Sequence, residues 1–173
     1  FPLWWGEYDQ GRVLVEAALE RAEEAGDLRT QGDCLKHRGY DAIQREDGPD
    51  LAETARRLLA LSGGSRGLPL RGLALRFLGL AHLFLRDVEG AQRALVLSMD
   101  RFRALEDLGE PYRFHVLAAR GYLAEGLARQ GRLEEARDLV EVCLEECRRE
   151  GFFRGLRFFH GLGAQGAFDR GDR

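Results

Sequence analysis

The sequence predicts an all-α fold built as an array of antiparallel helix pairs, and three stretches with a shared pattern support this prediction. Residues 117–151 have the pattern of two helices separated at Gly131. In the second helix, apolar residues recur at spacings of three and four while charged residues take the other face, as in an amphipathic helix. Residues 73–109 and, more weakly, 29–63 repeat this organisation. One pair cannot bury its apolar stripe alone, so the repetition indicates that the pairs stack.

The predicted pairs follow one another along the whole chain as one domain. A first helix over 11–25 ends at Gly26, since glycine readily takes the left-handed conformation that closes a helix. Pro49 suits the first turn of a later helix, and the helix over 70–86 is apolar nearly all round, which favours a central position. The four pairs and a terminal helix are expected at 1–27, 28–63, 67–108, 110–150 and 152–168.

The apolar spacing also predicts which side of each second helix faces inward. These inward residues are Ala55, Leu58, Leu59 and Leu61 in the second pair, Ala91, Ala94, Leu95, Ser98, Phe102 and Leu105 in the third, and Leu133, Ala136, Val140, Cys143, Leu144 and Cys147 in the fourth.

Two copies share a more specific pattern, in which a Leu-Gly or Leu-Ala step is followed by a glycine or charged break and then by small residues. Leu78-Gly79 with Ala91 and Leu95 form one copy, and Leu123-Ala124 with Gly131, Ala136 and Val140 form the other. This pattern resembles tetratricopeptide (TPR) repeats, which have a period of roughly 34 residues.

The chain also departs from the TPR pattern. Leu75 and Arg120 stand where that family prefers Trp, and His82 and Leu127 stand where it prefers Tyr. The closing Pro is missing, and equivalent alanines lie further apart than the standard period. Long repeats with the joints ALEDLGEP and CRREG, after the opening LWWGEYDQGRVLVEAALERA, look most like the TPR regions of MalT/LuxR-type bacterial transcriptional regulators.

The TPR resemblance implies a right-handed superhelix, or α-solenoid, whose first helices line a concave surface. Such a surface is expected to bind a protein, a peptide or a small effector. Arginines on it would pair with ligand carboxylates in a bidentate manner. Carried onto this chain, the resemblance gives as partner-binding residues His37, Tyr40, Gln44, Arg76, Leu80, Glu125 and Arg129.

Composition narrows the class of protein further. The chain has 173 residues, of which 45% are hydrophobic and 32% charged, enough for one sizeable core. A net charge of −3 gives no general attraction to nucleic acid or anionic membrane. Three cysteines, an odd number in a chain without cysteine-rich spacing, favour a reducing compartment and hence the cytoplasm. Since the sequence opens at Phe1 within a helix-like stretch, we expect a domain excised from a larger protein.

The sequence offers little sign of chemistry. Cys143 and Cys147 lie one turn apart, as half a zinc site would require, but filling the space between packed helices is the simpler interpretation. The four histidines form no recognisable triad, and no phosphate-binding or nucleophile motif occurs. We therefore expect no enzyme activity and no cofactor. The arginines at 148, 149, 154 and 157 are interpreted as a solvated edge, with phosphate contact as the alternative.

Function is predicted at the level of partner binding. The leading hypothesis is a sensor or oligomerisation segment of a bacterial transcriptional regulator, with no direct nucleic-acid or membrane contact. The alternative is a stand-alone scaffold that self-associates through Trp4-Trp5 and the Phe-rich residues 152–159. An accessory domain of a hydrolase is a third hypothesis, supported by nothing within this chain.

Overall fold

A computed structural model describes residues 8–63, 67–106 and 112–152, together with 155, 158 and 159. These ranges contain seven helices and no strand, so the all-α class is confirmed. The helices are α1 (Tyr8–Glu24), α2 (Leu28–Gln44), α3 (Gly48–Leu61), α4 (Leu68–Phe84), α5 (Val88–Glu106), α6 (Arg113–Arg129) and α7 (Leu133–Arg149). None of these helices is long and apolar enough to cross a membrane.

Two parts of the sequence-based prediction lie largely outside the described residues. Trp4-Trp5 is one, and the terminal helix over 152–168 is the other, although its described positions 155, 158 and 159 are helical.

Helix α4 lies at the centre of the packing. Each helix packs against the next one along the chain, and α4 also contacts α2 and α6. Helix α4 therefore has four neighbouring helices, which contact more than one of its faces. This agrees with its apolar residues lying nearly all round, and the predicted central position of this helix is confirmed.

Five tight turns share one backbone geometry. Each contains a residue in the left-handed region, with φ between +53° and +78°: Gly26, Glu46, Arg86, Gly131 and Gly151. The following residue donates its backbone N–H to a carbonyl five residues earlier, as in the bond of 2.8 Å from Asp27 to Ala22. This is the Schellman pattern of a closed helix end. The glycine expected at the end of the first helix thus takes the predicted role.

Three of these turns also start the next helix. The side chains of Asp27, Asp47 and Asp87 accept backbone N–H bonds from Thr30, Asp50 and Gly90, at 3.1, 3.0 and 2.9 Å. An aspartate in this position satisfies one of the donors that a helix start leaves unpaired. One short segment therefore ends one helix and caps the next, which fixes where each neighbouring helix begins.

The core consists of one large cluster and two small ones. Buried residues from α1 to α6 form the large cluster, and the small clusters lie where α6 meets α7. All six residues predicted to face inward on α5 are buried. Leu133 was expected to face inward but is 40% exposed, at the first position of α7.

Two glycines allow α4 to approach its neighbours closely. A Cβ atom at Gly39 of α2 would overlap the ring of Phe77 of α4, and one at Gly79 of α4 would lie 2.6 Å from Leu95 Cγ of α5. Such distances are too short for a methyl group and an apolar side chain. The absence of side chains at these two positions therefore determines the separation of α4 from α2 and α5.

Candidate partner-binding face

The predicted residues on α2 lie on one open side of the helix. His37, Tyr40 and Gln44 are three and four residues apart, so they project from the same side. Gln44 is exposed, Tyr40 is 39% exposed and His37 is half-buried. His37 also lines a small cavity with residues of α1, among them Arg12 and Val15. This side of α2 can therefore be reached by a partner.

The predicted residues on α4 are not on an open surface. Leu80 is 1% exposed and belongs to the large core cluster, and Arg76 is 3% exposed. Their burial shows where the two side chains lie, and their predicted role in partner binding stays a prediction. They are covered because α2 and α6 both pack against α4, so side chains from these two helices close over that side of α4.

The predicted residues on α6 form a pair. The Arg129 Nη2 atom donates to Glu125 Oε1 over 2.5 Å, and its Nη1 atom donates to the backbone carbonyl of Leu83 over 3.2 Å. Leu83 lies near the end of α4, so Arg129 joins α6 to that end. A partner carboxylate would have to share Arg129 with Glu125.

Arg76 joins three helices through its guanidinium. Its Nη2 atom donates to Tyr40 Oη on α2 over 3.0 Å, and its Nη1 atom lies 2.9 Å from His115 Nδ1 on α6. The guanidinium carbon also lies over the rings of Tyr40 and Phe77, at 5.9 and 5.8 Å from their centroids. Arg76 therefore occupies the space between α2 and α6, on the side where the predicted residues of those helices lie.

The contact with Arg76 determines the protonation of His115. An arginine can only donate hydrogen bonds, so His115 Nδ1 is the acceptor and carries no proton. The His115 ring stacks on Phe102 of α5, with centroids 4.6 Å apart and planes at 16°. His115 thus fixes the Arg76 side chain relative to both α5 and α6.

Tyr122 and Glu125 on α6 complete the surroundings of Arg76. Burial raises the pKa of Tyr122, the nearby Arg76 charge lowers it, and Glu125 and Tyr40 raise it. Arg76, Glu125 and Tyr40 therefore all influence the ionisation of Tyr122. We call Tyr40, Arg76, His115, Tyr122 and Glu125 the Arg76 cluster. The open side chains around it, His37, Tyr40 and Gln44 of α2 and Glu125 and Arg129 of α6, form the Arg76 face.

No carboxylate of the described residues lies within ion-pairing distance of Arg76. By contrast, two other part-buried arginines have such partners: Arg38 pairs with Asp50 at 2.7 Å and Arg120 with Glu146 at 2.5 Å. The Arg76 Nε atom is buried and has no hydrogen-bond partner in the described chain. Arg76 is thus a buried cation held by neutral groups and aromatic rings, an arrangement that is costly unless other interactions compensate it.

Sequence reasoning missed His115 and Tyr122 as parts of this site. His115 was considered only as one of the four histidines that form no recognisable triad, and Tyr122 was not considered. The sequence did contain a signal for both residues. Tyr122 lies three residues before the predicted Glu125, and His115 lies seven residues before Tyr122. Residues at these spacings lie on the same side of a helix.

The cysteines are structural in this fold. Cys34, Cys143 and Cys147 are all free and buried. Burial raises the pKa of Cys143 to about 11, although Arg120 acts in the opposite direction. Across the described ranges, no three His, Cys, Asp or Glu residues are grouped so that they could hold a metal ion.

His82, which stands where the TPR pattern prefers Tyr, is not a buried residue. Its side chain is 31% exposed, and its Nδ1 atom lies 2.8 Å from Asp87 Oδ2. It stands near the end of α4, beside the turn into α5, so it supports that turn and is not packed between helices.

No family model, curated protein or solved structure shows significant similarity to this chain. The function must therefore be argued from the Arg76 face and from the sequence pattern.

Proposed function

We propose that this chain is a non-enzymatic helical-repeat module that binds a protein or peptide partner, or a small effector, on the Arg76 face. The observation that carries the proposal is Arg76 itself, a buried cation that contacts both α2 and α6 beneath an open surface. A ligand on that surface would touch helices from successive pairs. Ligand binding would therefore favour one spacing of these helices over another, which is how differential binding drives a conformational switch.

The packing order supports a solenoid for this module. Helices α2, α4 and α6 are the first helices of successive predicted pairs, and α4 contacts the other two. In a TPR-like superhelix the first helices likewise adjoin one another and line the concave surface. We propose the right-handed TPR-like superhelix on this basis, and on the resemblance of its joints we propose a role as the sensor or oligomerisation segment of a cytoplasmic bacterial transcriptional regulator.

Site-specific photo-crosslinking tests the location of the partner site. A benzoylphenylalanine at Gln44 on the Arg76 face is compared with the same residue at Arg93 on α5, whose side chain is 70% exposed. In cells of the source organism we expect a discrete crosslinked species from position 44 and none from position 93. Equal products from both positions, or none from position 44, would remove the assignment to this face.

Substitution at Arg129 provides a second test with the partner identified by crosslinking. We expect Arg129→Ala to weaken binding by about tenfold, because hydrogen bonds to a charged group are worth about 1.5 kcal/mol or more. The helical circular-dichroism signal should remain, since Arg129 is exposed. Arg93→Ala is the matched control. Unchanged binding by Arg129→Ala would exclude this arginine from the interface.

Self-association is the second candidate, and exposed apolar residues on α1 favour it. Val13 and Leu14 are adjacent in sequence and are 66% and 63% exposed. Neighbouring exposed apolar side chains are typical of interaction sites. Light scattering across protein concentration should show a dimer that Val13→Asp with Leu14→Asp converts to a monomer. A monomer at all concentrations would argue against this candidate.

A further inference from the structure

The Arg76 guanidinium is buried beneath the proposed binding face, and one of its nitrogen atoms has no hydrogen-bond partner in the described chain. It has two forks with which it can bind a carboxylate through two parallel hydrogen bonds. One fork is formed by Nε and Nη2. In Arg76 this fork has a single neutral partner, because Nη2 donates to Tyr40 Oη and Nε has no partner in the described chain.

The same fork binds carboxylates elsewhere in the molecule. Arg132 uses Nε and Nη2 to bind the two oxygens of Glu135, at 2.7 and 2.6 Å. Arg38 uses the same two nitrogen atoms for Asp50, at 2.9 and 2.7 Å. Both arginines are more exposed than Arg76, so they need a counter-ion less than Arg76 does. Arg76 is thus the most buried of these three arginines, and it is the one without a carboxylate partner among the described residues.

Tyr40 is placed where it can be displaced from this fork. Its hydroxyl occupies the Nη2 position, and its side chain is 39% exposed. A carboxylate that took the place of this hydroxyl would replace one neutral hydrogen bond by two charge-assisted ones. Its negative charge would also balance Arg76. Tyr40 would then turn towards solvent, where part of its surface already lies.

The charges around the Arg76 fork favour a ligand group that carries a single negative charge. Arg76 supplies one positive charge, and the nearest other cation on the Arg76 face, Arg129, is already paired with Glu125. Glu125 would repel a dianion such as a phosphate monoester. A carboxylate matches the site in charge and in the spacing of its two oxygens.

We propose that Arg76 is the receptor for a carboxylate of the bound ligand, which enters by displacing the hydroxyl of Tyr40. This inference rests on the proposed function, since it names the ligand group that the Arg76 face would recognise. Tyr40 acts as the residue that occupies the fork until the carboxylate arrives.

Nuclear magnetic resonance of the arginine Nε–H groups tests this proposal on the free 173-residue chain. Acetate is the first probe, titrated against chloride at constant ionic strength. We expect a saturable shift of the Arg76 Nε–H signal with acetate and none with chloride. The Arg38 signal is the internal control, because its fork is already bound to Asp50. Arg76→Lys assigns the signal.

Tyr40→Phe gives the decisive comparison. Because the competing acceptor is removed, acetate should bind this variant about tenfold more tightly than the original chain. A purely structural role for Tyr40 would leave the acetate affinity unchanged or lower. Tyr112→Phe is the matched control, since it removes a tyrosine hydroxyl while the Tyr40 hydroxyl stays on Arg76 Nη2.

Two further probes distinguish the source of the carboxylate. N-acetylglycine represents a chain terminus, and N-acetylglutamic acid amide represents an acidic side chain. Absence of any saturable shift at Arg76, or an equal shift at Arg38, would overturn the proposal. If acetate fails while position 44 still crosslinks to a partner, the face binds its partner without Arg76 and only this inference is lost.

Discussion

At the scale of single residues, the molecule depends on polar groups that are buried with unusual partners. Arg76 is held by a tyrosine oxygen, an imidazole nitrogen and two aromatic faces. The sequence placed Arg76 on the correct helix and in the same predicted set of residues as Tyr40, which it contacts. It could not show that Arg76 is buried, because burial depends on which sides of α2 and α6 pack against α4, and helical spacing within one segment does not contain that information.

The contact between Arg76 and His115 gives a prediction about stability. His115→Phe keeps a ring against Phe102 but removes the acceptor for Arg76. We expect a loss of about 2 kcal/mol in the free energy of unfolding, because a buried charged donor loses its partner.

The double variant Arg76→Met with His115→Phe should be more stable than His115→Phe alone, since the uncompensated charge is then removed as well. Urea denaturation measures both variants. If His115→Phe were as stable as the original chain, the bond at 2.9 Å would have no energetic role.

The buried thiol of Cys143 gives a prediction about pH. Its pKa in the folded chain is raised to about 11 from an ordinary value of 9.0. A raised pKa means that this thiol contributes stability below pH 9, and that the contribution is lost as the pH rises from about 9 towards about 11. Cys143→Ala should flatten this part of the curve of stability against pH, as measured by urea denaturation. A curve of unchanged slope would contradict this assignment.

At the scale of helices and turns, the sequence was most informative. Spacings of three and four located the seven helices to within a few residues. The six residues predicted to face inward on α5 are all buried, because the apolar spacing of a long amphipathic helix indicates which side is buried. The prediction failed at a helix end, as at Leu133, where the apolar spacing continues but the residue is 40% exposed.

The shared turn geometry predicts opposite effects for two substitutions. Gly131 has φ of +78° and open space around a Cβ atom, so Gly131→Ala should cost about 1 kcal/mol from backbone strain alone. Glu46 has φ of +53°, so Glu46→Gly should relieve similar strain. Glycine also increases the conformational entropy of the unfolded chain, which offsets part of this gain, so we expect a net stabilisation of about 0.5 kcal/mol.

Gly63→Ala is the control for these turn variants. Gly63 also has open space around a Cβ atom but does not have a left-handed backbone. Thermal or urea denaturation should therefore find this variant at least as stable as the original chain. A loss equal to that of Gly131→Ala would show that backbone conformation is not the cause.

At the scale of the whole molecule, stability is distributed unevenly. The large cluster includes residues of α1 to α6, whereas the buried residues of α7 are Ala136, Cys143 and Cys147. Opening of a helix with few buried contacts costs less free energy than opening of a central one. We expect hydrogen exchange to be slower in α4 than in α7 by at least about tenfold, as measured peptide by peptide by mass spectrometry. Equal protection of the two helices would show that the chain opens only as a whole.

The burial of all three thiols has a practical consequence for spectroscopy. Cysteines introduced at exposed positions can be labelled in the folded chain without first removing Cys34, Cys143 and Cys147. Spin labels at Gln44 on α2 and Arg129 on α6 would then allow the distance between these two helices to be measured across α4. The distribution of distances between them would report directly whether an added ligand widens, narrows or leaves unchanged the span that the Arg76 side chain bridges.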